Sequence, residues 1–213
     1  MRTTVKLQVS RGESGVTLLE LLIALALGAV LTVGVLAIWR ETQLAYLYGA
    51  EAADAQQNLR VALDRVSQVL RSAGANPVQI PDFVAFGQAG DECLRAFADL
   101  EGDADGSPPD GELDDPWEDV RFDYANGVLK QQNGRSPSQS LAFGIVPNPG
   151  GVPIFQYFDE SGLPIASGGK CGMSSADLNR IRRIVVTLTA RGVVEGQSVT
   201  RTLRSEVRPR NLR

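Results

Sequence analysis

The stretch Asp99–Asp119, DLEGDADGSPPDGELDDPWED, spaces its carboxylates for hard-cation chemistry. Counted from Glu101, acids stand at Glu101, Asp103, Asp105 and Glu112 with Gly106 among them, which are positions 1, 3, 5, 12 and 6 of a calcium-binding loop. Oxygen ligands so spaced can wrap a calcium ion, and Gly106 supplies the sharp turn. Three departures weigh against it: Glu rather than Asp comes first, Pro108 replaces a small apolar residue, and Pro109 and Pro116 oppose flanking helices. The competing expectation, which these departures favour, is a solvated acidic loop. The expected cofactor is therefore none, with calcium at Glu101, Asp103, Asp105 and Glu112 as the exception.

Other chemistries are narrower. The chain has no histidine, which removes Ser-His-Asp and Cys-His nucleophile pairs and any His-ligated metal. Gly12-Glu13-Ser14-Gly15 is not a G-x-S-x-G elbow, and it precedes a long apolar run. No phosphate loop is present, and nothing about the two cysteines points to catalysis. The expectation is a protein that is not an enzyme. A membrane-tethered periplasmic enzyme working through carboxylates is the alternative from another class.

The element that positions everything else is that apolar run. Leu21 to Trp39 are 19 consecutive uncharged residues, and at about 1.5 Å each they span roughly 28 Å, close to a bilayer's hydrocarbon core. A cleavable secretory signal would be shorter and would end in an A-x-A-like site, which is not found after Trp39. Arg2, Lys6 and Arg11 precede the run, so the start of the chain is expected in the cytoplasm and the remainder outside. Glu20 stands at the beginning of the run. A charge in lipid costs a few kcal/mol and implies a partner; otherwise the acid lies shallow and snorkels to the headgroups. If the chain were cut after Gly15, the new amino group of Val16 on a neighbouring subunit would be a suitable partner.

Gly15 followed by Val16-Thr17-Leu18-Leu19-Glu20, the basic leader and the apolar run together resemble the class III signal of type IV prepilins and type II secretion pseudopilins. The resemblance implies cleavage by prepilin peptidase between Gly15 and Val16, N-methylation of Val16, and a guiding role for Glu20 in packing and assembly. Val16 departs from the phenylalanine usual at the first mature position. Asn58 to Gly74 (NLRVALDRVSQVLRSAG), the YFDESG turn and the terminal SEVRPRNL resemble PilW-type minor pilins more loosely, and GspJ-type pseudopilins share much of that look. The implied fold is the pilin fold: a long N-terminal helix, half in membrane, with its amphipathic half packed on a C-terminal antiparallel sheet.

The residues beyond the membrane read compatibly. Leu44, Tyr48, Ala52, Ala55, Leu59, Ala62, Val66, Val69 and Ala73 recur at three- and four-residue steps, an amphipathic stripe. One helix is expected over Thr17 to Ala73, capped by Gly74 and stopped by Pro77, with Gly28, Gly34 and Gly49 as points where it would bend or melt. Hairpins are expected at Asp119–Tyr124 with Val128–Gln131, at Pro153–Phe158 with Leu163–Ile165, and at Arg183–Arg191 with Ser198–Arg208; Leu141–Val146 is a further strand. The organisation is thus a leader (1–15), a transmembrane segment (16–39), the amphipathic half of the helix (40–74) and a loop-rich β head (75–213), class α+β.

Cys93 and Cys171 lie in the translocated part, where a disulfide between two loops is expected, two unpaired thiols being the alternative. Arginines crowd the end of the chain: Arg180, Arg182, Arg183, Arg191, Arg201, Arg204, Arg208, Arg210 and Arg213. A solvated face or a surface for an acidic neighbour is expected there. Nucleic acid is disfavoured because few aromatics interleave the arginines. At 213 residues and net charge -4, the chain is neither disordered nor polyanionic. The expected function is a structural minor pilin in the inner membrane, head in the periplasm, later in a type IV pilus at the cell surface. Expected partners are prepilin peptidase, major and minor pilins, the inner-membrane assembly platform and lipid. A type II secretion pseudopilin is the alternative.

Overall fold

The computed structural model describes residues 15–102, 107–115 and 117–212. They fall into two compact units, one up to Tyr46 and one from Leu47 onward. Helix α1, Leu18–Ser72, is a single α-helix of 55 residues. It continues through Gly28, Gly34 and Gly49, the weak points of the one helix expected here. A helical glycine costs about 1 kcal/mol relative to alanine, less than exposing unsatisfied backbone groups to lipid. Thr32 Oγ1 also donates to Gly28 O at 2.7 Å.

In the first unit no residue from 15 to 43 is buried. The apolar part of α1 is long enough to cross a membrane, and among the described residues its apolar window is not buried. The second unit begins where the amphipathic stripe takes effect. Ala52, Ala55, Leu59, Ala62, Val66 and Val69 are buried as the spacing predicts, joined by Leu63, Ser67 and Leu70. The helix stops at Gly74, whose φ of +83° an L side chain rarely adopts, and Pro77 follows.

Among the described residues ten strands form two antiparallel sheets where one was expected. The first has the order β1 (Phe86–Ala89), β2 (Cys93–Phe97), β3 (Asp119–Ala125), β4 (Val128–Asn133), β5 (Gln139–Ala142). The second has the order β10 (Gln197–Val207), β9 (Arg183–Val194), β7 (Phe155–Phe158), β8 (Pro164–Ile165), and β6 (Ile145–Val146) also pairs with β9. A short helix, α2 (Ser175–Leu178), precedes β9. The strand expected over Leu141–Val146 is divided between the sheets because Gly144, at φ +65°, turns the chain. The three expected hairpins form. Asn126 and Gly127 have φ of 52° and 77°, and Glu195 and Gly196 have 46° and 81°. Two successive positive values match the twist of tight hairpins. In the YFDESG turn, the Leu163 amide donates to Asp159 Oδ1 at 2.9 Å. That bond, and after it Arg180, holds the Asp159 carboxyl below its ordinary range.

One apolar core joins the buried face of α1 to both sheets, through Leu59, Val66 and Leu70 from the helix, Leu94, Phe122 and Leu129 from the first sheet, and Phe155, Ile184 and Leu188 from the second. β9 is buried on both faces from Ile184 to Ala190, although its sequence alternates like a half-exposed strand. The Ser67 and Ser205 hydroxyls share a hydrogen bond of 3.0 Å across the helix–sheet contact.

Tyr157, 1% exposed, donates its hydroxyl to Gly90 O at 2.9 Å, and burial pushes its phenol well above the ordinary range. Gly90 is closely enclosed: a Cβ there would fall inside contact distance of Lys170 O and the Cys171 backbone. Gly90→Ala is therefore expected to destabilise this unit by about 3 kcal/mol, since backbone tied by a disulfide cannot step aside. Urea unfolding of the full chain in detergent measures it, and a loss under about 0.5 kcal/mol, the range of a neutral surface change, would contradict the close fit.

Candidate functional site

Gly15, Val16 and Thr17 are exposed and precede the first helical residue, so the backbone between Gly15 and Val16 is accessible. Thr17 caps the helix: its Oγ1 accepts the Glu20 N–H at 3.2 Å, and its carbonyl accepts Leu21 N–H at 3.1 Å. Thr17-x-x-Glu20 has the spacing of a capping box. Glu20 also lies in the first turn, where the helix dipole favours an anion. Its side chain is exposed, leaving it open to a group from another molecule. The T-x-x-E spacing is a legible signal that a reading focused on Glu20 alone passes over.

The acidic stretch is arranged differently from its spacing. Asp103, Asp105 and Gly106 lie outside the described residues; Glu101 and Glu112 are exposed. The buried acids are instead Asp99, 1% exposed, and Glu118, fully buried. Neither was among the ligands expected from spacing. Their flanks do carry apolar neighbours, Ala98 and Val120, that enter the core. Asp119 makes a two-pronged bond to Arg95, with Arg95 Nε to Oδ1 at 2.7 Å and Nη2 to Oδ2 at 2.6 Å.

Cys93 and Cys171 are joined in a disulfide, with Cα atoms 5.5 Å apart, inside the usual range. Cys93 sits in β2 rather than in a loop and is fully buried. Among the described residues these two sulfurs and an Asp123 carboxylate oxygen cluster closely enough to hold an ion, but the sulfurs are committed to each other.

Strand alternation puts Arg183, Arg191 and Arg204 on one face of the β9–β10 pair, as expected, with Arg201 on the other. Arg204 pairs with Thr187, which has the parity of Arg183 and Arg191, whereas Arg201 pairs with Ala190 on the opposite side. Arg180 bridges Asp159 at 3.1 Å and Asp177 at 3.0 Å. Arg183 lies 3.9 Å above the Phe158 ring and bonds Glu206 at 3.2 Å. Arg191, Arg204 and Arg210 are exposed, and Arg213 lies outside the described residues.

Residues 10–36 match the family model of the prokaryotic N-terminal methylation motif. The match takes in Gly15, Val16 and Glu20 and most of the apolar run from Leu21 to Trp39. It supports a type IV prepilin-like protein, processed by prepilin peptidase and anchored in a membrane through α1, with pilins or pseudopilins as its class of partner. No curated protein and no solved structure matches the chain.

Proposed function

We propose that the protein is a structural minor pilin of the PilW type, cut between Gly15 and Val16, methylated at Val16, and added to a type IV pilus or to the complex that primes it. The observation that carries this reading is the methylation motif at 10–36 coinciding with an apolar helical segment that is unburied among the described residues. Burying that bare face against the helices of other subunits would supply most of the assembly energy. The head would then lie in the periplasm and later on the pilus. Its role is assembly rather than catalysis.

The test is the intact N-terminal mass of the protein from cells with and without prepilin peptidase. The expected product begins at N-methylated Val16 and appears only with the peptidase. An unprocessed Met1 in both strains, or cleavage beyond Trp39, would defeat the proposal. Recovery of the processed chain in sheared pili, rather than in secretion complexes, favours the pilin over the pseudopilin.

A further inference from the structure

Strand β10 is the longest open sheet edge among the described residues. It ends the second sheet, paired with β9 on one side and, among those residues, with no strand on the other. It runs for 11 residues, whereas the edge strands β1 and β5 have 4 each and β8 has 2. Its register with β9 is unbroken from Gln197 to Val207, while β1 and β5 each join their neighbour through a shift. No proline interrupts it, and Pro209 lies beyond its end. Edges are commonly kept from accepting another strand by shortness, bulges, proline or charge. Of these β10 has only charge.

The turn at Glu195-Gly196 fixes where its backbone groups point. A two-residue turn makes Val194 and Gln197 a hydrogen-bonded pair, so the odd-numbered residues of β10 direct their N–H and C=O groups to β9. Those of Ser198, Thr200, Thr202, Arg204 and Glu206 point outward, and all five residues are exposed. Among the described residues this outward row receives one hydrogen bond, from Arg201 Nη1 to Thr200 O at 3.3 Å. The rest is open to water or to another strand.

Charge then decides what kind of strand fits. Arg191 and Arg204 are exposed on one face of the β9–β10 pair and Arg201 is exposed on the other. Among the described residues none of these three forms an ion pair, whereas Arg183 is held by Glu206. Side chains of an added strand would lie about 5 Å from those of β10 directly opposite. Acids on either face would therefore meet an arginine, and bases would be repelled. A second copy is the poorer occupant, because its own acidic stretch carries Pro108-Pro109, which lack the N–H groups a strand must donate.

We infer that β10 is a docking edge that accepts an extended, acidic segment of a partner protein as a further strand of the second sheet. Main-chain bonds along Ser198 to Glu206 supply the affinity, and Arg201 and Arg204 supply the preference for acidic side chains. The inference does not depend on the pilin reading, because it concerns only residues of the second unit.

The test uses the full chain in detergent micelles and a blocked, strand-length peptide in which glutamate alternates with threonine. The same peptide with lysine in place of glutamate is its control. Fluorescence anisotropy of the labelled peptide gives affinity, and amide hydrogen exchange gives position. The glutamate peptide is expected to bind about tenfold or more tightly than the lysine peptide at low salt. It should protect the amides of Thr200, Thr202 and Arg204, while those of Leu203 and Ser205, already bonded to β9, stay as they were. Thr200→Pro removes only an outward N–H, so it should keep the parent's Tm and weaken binding about tenfold or more. Arg204→Glu should reverse the preference between the two peptides. Binding of neither peptide would overturn the inference, leaving the arginines as guards of an edge that stays unpaired. Equal binding of both peptides, or binding that Thr200→Pro and Arg204→Glu both retain, would overturn it too. If the outward amides are protected without peptide, and more so as protein concentration rises, a second copy takes the edge and the acidic segment is refuted.

Discussion

Replacing Cys93 and Cys171 together by serine is expected to cost the head up to about 4.5 kcal/mol, the chain-entropy value for a loop closed across 78 residues. The expectation is large because the disulfide is the centre of a wider set of contacts. Asp91 N–H donates to Gly169 O at 2.8 Å, Glu92 N–H to Lys170 O at 3.2 Å, and Met173 N–H to Ala89 O at 3.1 Å. Lys170 also pairs with Glu92 at 3.0 Å. Residues 166–174 have no strand or helix of their own. Without the covalent tie, the entropy of that loop would oppose each of these bonds separately. Urea unfolding of the full chain in detergent, oxidised against reduced and against the double variant, measures the effect. Reduced parent and double variant should agree; a loss below about 1 kcal/mol would mean the backbone bonds alone hold the loop.

The second large effect is expected at Glu20. Glu20→Gln keeps the backbone N–H that Thr17 caps and also keeps the side-chain length, so the helix start should persist. It removes the charge that a neighbouring subunit's Val16 amine would meet in a medium of low dielectric, where such a pair is far stronger than in water. The expected outcome is normal peptidase cleavage with incorporation into sheared pili reduced tenfold or more, about 1.4 kcal/mol or greater per added subunit. Thr17→Ala separates the two roles, because it removes the cap, worth about 1 kcal/mol, and leaves the charge. If Thr17→Ala abolishes incorporation and Glu20→Gln does not, Glu20 serves the helix terminus and not the neighbour. Immunoblots of sheared and cell-bound fractions decide between them.

The long helix and the hairpins were readable because their signals are local. Asn126-Gly127 and the Asp159–Gly162 turn impose backbone angles that few other residues accept, and the apolar stripe from Ala52 to Val69 follows the helical period. Strands β1 and β2 escaped because FGQA and CLRAF are short and do not alternate; their place depends on pairing with β3, a relation between distant residues. The second sheet escaped for the same reason, since one glycine, Gly144, decides that Ile145 leaves the partner of Leu141 and joins β9. The acidic loop shows the sharpest contrast. Its regular spacing drew attention to Glu101 and Glu112, which face solvent, whereas burial of Asp99 and Glu118 follows from strands on either side drawing the loop's ends inward. Carboxylate spacing along a chain does not report which acids the fold will desolvate.

The order of synthesis gives the doubly buried strand β9 a temporal meaning. The apolar face of α1 from Ala52 to Ala73 leaves the ribosome early, yet part of its cover, β9 and β10, is made more than 100 residues later. Their hairpin contacts are local and form quickly, but closing them over the helix requires contacts between residues more than 100 positions apart, such as Ser67 with Ser205. The core must therefore wait, partly uncovered, until β9 and β10 have been made. A chain truncated before Arg183 would leave an apolar helix face and the edge of β7 open together, a combination prone to aggregate rather than to assemble. The β9–β10 hairpin thus couples completion of the core to residues made long after the helix it covers.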